Sequence, residues 1–201
     1  LTDENVGSLY ADKVTKSLES SGFEVHSHVI KAGEAHKNLG TISQTWSAMA
    51  NAKLDRQSLV IALGGGVVGD MAGFAAATYM RGIEWVNIAS SLLSMVDASI
   101  GGKTAFDLPQ GKNLVGAFHP PKFVLIDPKL LSTLPVKELK NGMGEVVKHE
   151  MINSPHLLEL CQKDWHNPPA EQVKFISEAL AVKVKMVQLD PFEKGIRAAL
   201  N

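Results

Sequence analysis

The sequence predicts an α/β domain, a parallel sheet covered by helices, followed by an all-helical domain. Three observations carry that prediction. Strand-like and helix-like stretches alternate from residue 23 to residue 126, the order that builds a parallel sheet with crossover helices. The run SLVIAL at residues 58–63 is short and continuously apolar and ends in three glycines, as a buried parallel strand does when it enters a turn. Beyond Ser132 only helical periodicity remains, which sets a domain boundary near residue 130 and gives domains 1–130 and 131–201.

The elements follow in order. Asp3 or Asn5 caps a first helix whose apolar positions Val6, Leu9, Tyr10, Val14 and Leu18 keep helical spacing, and Gly22 is placed to end it. Residues 23–30 alternate like a strand. Residues 36–52 predict a second helix with Leu39, Ile42, Trp46 and Met49 on one face. Residues 67–80 predict the next helix, and 83–88 and 123–126 further strands. Between them, residues 97–118 are rich in Gly and Lys and read as loops, with a turn at DLPQGKN. Ser132, Pro135 and Glu138 have the pattern of a helix start. Residues 136–151 and 171–189 are strongly helical, with Asn167, Pro168 and Pro169 marking the loop between.

Composition excludes several functions. Twenty Lys+Arg against 21 Asp+Glu leave a formal charge of -1, so no net field draws the chain to nucleic acid or to an anionic membrane surface. With 45% hydrophobic and 20% charged residues there is enough apolar material for a core. The one cysteine, Cys161, excludes an internal disulfide and a cysteine-rich metal site. The opening stretch lacks the basic start and apolar core of a signal peptide. The longest apolar stretches stop well short of the ~20 residues of a membrane span, so the expectation is a soluble protein. The chain opens at Leu1 without Met and stops at Asn201 on an amphipathic pattern, which reads as a fragment.

Two constellations carry chemistry. Gly64, Gly66 and Gly69 have GxGxxG spacing between a predicted strand and a predicted helix. Such glycines let backbone approach a ligand, and unpaired amides at the helix start favour a pyrophosphate. Asp70 would repel phosphate there and suits a ribose hydroxyl instead. The second group is Asp97, Lys103, Lys112 and Asn113 in VDASIGGKT and DLPQGKNLVGAFHPP, where clustered amines can receive phosphate or carboxylate. Further on, Glu145, Lys148 and His149 stand at i, i+3 and i+4 on one helical face. Glu145 with His149 is a candidate metal pair. Lys183, Glu193, Arg197 and Asn201 are polar positions that residue type alone assigns to helix surface.

The stretches GGGVVGDMAGFAAATYMRGI, SLLSMVDASIGGKTAFDLPQGKNLVGAFHPP and GMGEVVKHEMI together resemble the 3-dehydroquinate synthase family, the NAD-dependent sugar-phosphate cyclases of the shikimate pathway. The resemblance runs collinearly from about residue 3 to residue 201. It implies a Rossmann-like NAD-binding domain followed by an all-α metal- and substrate-binding domain, the second incomplete here. Gly33, Glu34, Lys37, Gly65, Gly66, Val67, Val68, Gly69, Asp70, Ser90, Ser91 and the run Leu130, Leu131, Ser132 and Thr133 would hold NAD. Lys103 and Lys112 would serve both cofactor and substrate. Asp97, Asn113, Lys148, Lys183, Arg197 and Asn201 would face the substrate. Glu145 would bind a divalent metal, zinc or cobalt, with two histidines from a segment that follows the pattern DxxExGxRxxLN in the family. His149 is not a ligand in that family.

The implied reaction converts 3-deoxy-arabino-heptulosonate 7-phosphate to 3-dehydroquinate by transient oxidation, phosphate elimination, reduction and aldol closure. Residues 1–201 alone would be inactive. A homodimer in the cytoplasm, or in a plastid if the source is a plant, is the accompanying expectation, with no nucleic acid or membrane partner. The rivals are a cyclase making 2-deoxy-scyllo-inosose or a valiolone, a metal-dependent polyol dehydrogenase, and a non-catalytic dinucleotide-binding fragment.

Overall fold

The computed structural model describes residues 1–153 and 169–197. The chain forms two units, Leu1–Ile88 with Gly102–Leu125, and Ala89–Gly101 with the residues from Ile126 onward. Where the sequence suggests one division near residue 130, the segment Ala89–Gly101 groups with the later helices. Cys161, His156, His166, Asn167, Pro168 and Asn201 lie outside the described residues.

The first unit runs β1 (Thr2–Asp3), α1 (Glu4–Ser20), β2 (Val29–Ile30), α2 (Leu39–Asn51), β3 (Leu59–Gly64), α3 (Gly66–Thr78), β4 (Glu84–Ala89), the hairpin of β5 (Lys103–Leu108) and β6 (Gly111–Phe118), and β7 (Val124–Ile126). Five strands order as β2-β1-β3-β4-β7, with β1 parallel to both β2 and β3. Asp3 caps α1 by accepting from the amides of Asn5 and Val6. Gly22, at φ +89, turns the chain out of the helix, as a left-handed residue after a helix does. The core centres on α3, whose Val68, Met71, Ala72, Phe74, Ala75 and Ala76 are buried together with Val60, Ala62, Trp85 and Phe106. Phe74 meets Phe106 edge to face at 5.2 Å, a favoured aromatic geometry.

Three expectations are corrected in this unit. Of residues 23–30 only Val29–Ile30 forms a strand, because the neighbouring β1 is two residues long and offers no further ladder. The predicted helix 36–52 divides into a short turn, Glu34–His36, and α2, because Asn38 Oδ1 accepts from the Thr41 amide and caps the helix there. Residues 103–118 are not loops: Lys103, Lys112 and Asn113 stand on an antiparallel hairpin that pairs Lys103 with Phe118 and Leu108 with Gly111. Glycine fits this ladder for a steric reason, since a Cβ at Gly116 would lie 2.4 Å from Thr104 O across the strands.

The second unit holds a five-residue π-helical stretch, Ser94–Ala98, a turn at Pro128–Thr133, and the helices α4 (Val136–Asn153) and α5 (Pro169–Leu189). Ser132 does not start α4, because its hydroxyl donates to Lys129 O within the turn and the helix opens after Pro135. Leu92, Met95 and Val96 are buried with Val146 of α4 and Phe175, Ile176 and Ala179 of α5. Gly142 allows α4 to back closely onto the π-helical stretch's approach, since a Cβ there would lie 2.6 Å from the Leu93 amide nitrogen. Among the described residues no helix is long and apolar enough to cross a membrane.

Candidate active site

In the first unit the glycine turn occupies the strand-to-helix junction that its spacing predicts. Gly64 ends β3, Gly65 caps α3 with extended backbone, and no side chain caps the first turn of the helix. The free amides there are a ready anion site. Gly64 must be glycine, because a Cβ would lie 2.6 Å from Cβ of Val68. At Gly69 a Cβ would come within 2.9 Å of Asn87 Nδ2, so the third glycine serves helix-to-strand packing.

Beside this turn the structure brings together Glu34, Lys37, Asp70, Lys112 and Asn113. Lys37 is buried, and its Nζ reaches both Asp70 Oδ2 and Asn113 Oδ1 at 2.5 Å. Lys112 Nζ pairs with Glu34 Oε1 at 3.1 Å. Burial pushes the Asp70 carboxyl up to about 6 against the pull of Lys37, and Glu34 and Asp107 add to the rise. Asp107, absent from the sequence expectations, organises the group. It accepts from the Asn113 amide, at φ +56, and its own amide donates to Lys37 O. Its available signal was its place at the mouth of the DLPQGKN turn. Gly33, at φ +98, leads into the Glu34 turn. The uncapped amides, the ammonium of Lys37 and the acceptor Asp70 fit a dinucleotide, which presents a pyrophosphate and ribose hydroxyls. Lys103 stands exposed at the start of β5.

In the second unit Asp97 sits on the π-helical stretch, Glu145, Lys148 and His149 on α4, and Lys183 on α5. Lys183 Nζ is 2.7 Å from Asp97 Oδ1, and Lys148 pairs with Glu145. Burial pushes the Asp97 carboxyl up, but His149, Lys183 and Lys148 outweigh it and hold it well below the usual carboxylate range. Asp97, Glu145 and His149 each offer a ligand atom within 4.8 Å of the others. Two carboxylate oxygens and an imidazole nitrogen suit zinc or a similar divalent ion, so these residues fit a metal that Glu145 would hold.

Lys183 and Arg197 correct the surface expectation, being 6% and 1% exposed. Arg197 donates to the backbone carbonyls of Pro191 and Gly101, and Gly101, at φ +99, has no room for a Cβ beside the guanidinium. Ser90 is buried, and Ser91 Oγ accepts from the Ser94 amide. Leu131 is buried in the Pro128–Thr133 turn, where Thr133 donates to Leu130 O.

Comparison with known proteins matches this architecture. The structure superposes with a TM-score of 0.88 on ValA, a 2-epi-5-epi-valiolone synthase from Streptomyces hygroscopicus subsp. jinggangensis solved with NAD+ and Zn2+, at 29% identity over 99% of this chain and 57% of that one. It superposes equally well, at 27% identity over 99% and 55%, on a 2-deoxy-scyllo-inosose synthase complexed with carbaglucose-6-phosphate, NAD+ and Co2+. An iron-containing alcohol dehydrogenase from Thermococcus thioreducens, at 15% identity and TM-score 0.72, shares the fold alone. The fold is therefore that of the sugar-phosphate cyclases. Within that class, residues 27–141 match the 3-dehydroquinate synthase N-terminal family and residues 142–201 the 3-dehydroquinate synthase C-terminal family. The chain is 47% identical to the 3-dehydroquinate synthases of Rippkaea orientalis and Symbiobacterium thermophilum over its whole length and 57% of theirs. It belongs to the 3-dehydroquinate synthase family and spans little more than half the length of these relatives.

Proposed function

We propose that the full-length protein containing this chain converts 3-deoxy-arabino-heptulosonate 7-phosphate to 3-dehydroquinate and inorganic phosphate, as a homodimer in the cytoplasm or a plastid. The observation that carries this reading is the 47% identity to 3-dehydroquinate synthases along the whole chain, against 27–29% for cyclases of other products.

In the first unit, the amides opening α3 and the ammonium of Lys37 receive the pyrophosphate of NAD, and Asp70 accepts from a ribose hydroxyl. Gly33, Glu34 and Lys112 complete that rim, and the family resemblance assigns Ser90, Ser91 and the run Leu130 to Thr133 to NAD as well. NAD, which these residues would hold, would when bound supply reversible hydride transfer at a ring hydroxyl with no net consumption of the cofactor. Glu145 holds a divalent ion, which when bound acts as a Lewis acid. Asp97 accepts from a substrate hydroxyl. Lys103, Lys148, Lys183 and Arg197 neutralise phosphate and carboxylate and keep the flexible intermediate in one geometry, with Asn113 and Asn201 completing the substrate contacts.

The test is a simultaneous record of phosphate and of absorbance from NADH as the full-length protein works on the heptulosonate. Phosphate is expected to accumulate with no net NADH. Steady accumulation of NADH would mark a dehydrogenase and overturn the reading.

A further inference from the structure

The β5–β6 hairpin of the first unit leaves its regular ladder at one place. Phe106 pairs with Val115 and Leu108 with Gly111, so Asp107 alone stands opposite Lys112, Asn113 and Leu114. The surplus residues bulge, and Asn113 takes left-handed backbone at φ +56, a region that is costly for most side chains and that Asn tolerates best. Two bonds of Asp107 hold the bulge. Its Oδ1 accepts from the Asn113 amide at 2.9 Å, and its own amide donates to Lys37 O at 2.7 Å.

Bulges re-aim side chains beside functional sites, and this one aims Asn113 at Lys37. The buried Lys37 ammonium lies 2.5 Å from Asn113 Oδ1. An ammonium only donates, so it is the carbonyl of Asn113 that turns to it. What Asn113 has left for a ligand is its amide Nδ2, on an exposed residue. Lys37 in turn is held at both ends, by Asp107 at its backbone carbonyl and by Asp70 and Asn113 at its ammonium.

We propose that Asp107 is a positioning residue: its carboxylate fixes the bulge at Asn113, so that Asn113 grips Lys37 with its carbonyl and presents its amide as a donor to an oxygen of the bound ligand. That Lys37 meets NAD and Asn113 the substrate rests on the cyclase reading; what Asp107 does to both rests on the geometry of the hairpin.

Two substitutions separate positioning from packing, since the backbone bond from residue 107 to Lys37 O survives both. Asp107→Asn keeps an acceptor for the Asn113 amide, and Asp107→Ala removes it. In the full-length protein, the Kd for NAD measured by titration calorimetry is expected to stay within about threefold of wild type in the Asn variant. In the Ala variant it should weaken about tenfold, the worth of one hydrogen bond. Because Asp107 acts through Asn113, adding Asp107→Ala to Asn113→Ala should cost nothing further. An Ala variant that binds as tightly as the Asn variant, losses that simply track Tm, or losses that add in the double variant would overturn the proposal.

A second measurement needs no ligand, so a wild type that fails to bind NAD would count against the cyclase reading and not against Asp107. Hydrogen exchange at the Asn113 amide reports whether the carboxylate holds the bulge. Exchange is expected to quicken about tenfold in the Ala variant and to stay near wild type in the Asn variant. Equal exchange in wild type and both variants would overturn the proposal.

Discussion

Lys37 and Lys183 are both buried, and each answers to a carboxylate, Asp70 in one unit and Asp97 in the other. A buried ammonium without such a partner is strongly destabilising, so these pairs are structural before they are functional. The two carboxylates shift in opposite directions. Asp97 is held down by His149 and two lysines against its burial, whereas Asp70, raised chiefly by burial, with one lysine opposing and two neighbouring carboxylates adding, lies at about 6 instead of the ordinary 3.8. The folded state thus binds the Asp70 proton more readily than the unfolded chain does. Between those two values, lowering the pH adds stability. The Tm of wild type minus that of Asp70→Asn should therefore rise as pH falls from 7 to 5, and a difference that is flat or falls would contradict the raised value. Lys103 stands exposed at the start of β5, and Lys103→Ala is expected to retain the fold. Lys103→Ala should lower kcat/KM for phosphate release by about 10- to 100-fold, the worth of one charge-assisted hydrogen bond; unchanged turnover would remove Lys103 from the phosphate site.

At the scale of elements, α3 is the hinge of the account, because it opens the proposed cofactor site and fills the first unit's core. Gly73 lets it do both. A Cβ there would stand 2.3 Å from Thr104 Cγ2 and 2.8 Å from Trp85 Cζ2. Gly73→Ala should lower stability by about 1–3 kcal/mol, the usual cost of overpacking, with urea unfolding as the check; an unchanged midpoint would mean the hairpin is not tightly packed on α3. This helix was legible in the sequence because an apolar strand, a glycine turn and a helical period all agreed. The β5–β6 hairpin was not, since its Gly and Lys content has the composition of loops while its register depends on a cross-strand contact at Gly116. Burial of Lys183 and Arg197 was equally hidden. One of the groups that hold Arg197, the Gly101 carbonyl, lies 96 positions away, and residue type carries no trace of so distant a partner. The helical spacing of Glu145 and His149 was readable, but the turn that brings Asp97 to them was not.

At the scale of the whole molecule, two units carry two different chemistries: glycine amides and a buried lysine suited to a dinucleotide, and a carboxylate and imidazole cluster suited to a metal. The family is fixed by the match of residues 27–141 and 142–201 to the two halves of 3-dehydroquinate synthase. The proposed substrate is what distinguishes this protein from the cyclases of closely similar fold. The most direct measurement is phosphate release by the full-length protein, with NAD and Zn2+ present, from 3-deoxy-arabino-heptulosonate 7-phosphate and from glucose 6-phosphate in parallel. The account predicts release from the heptulosonate alone, with 3-dehydroquinate as the carbocyclic product. Release from glucose 6-phosphate, or none from the heptulosonate, would contradict it.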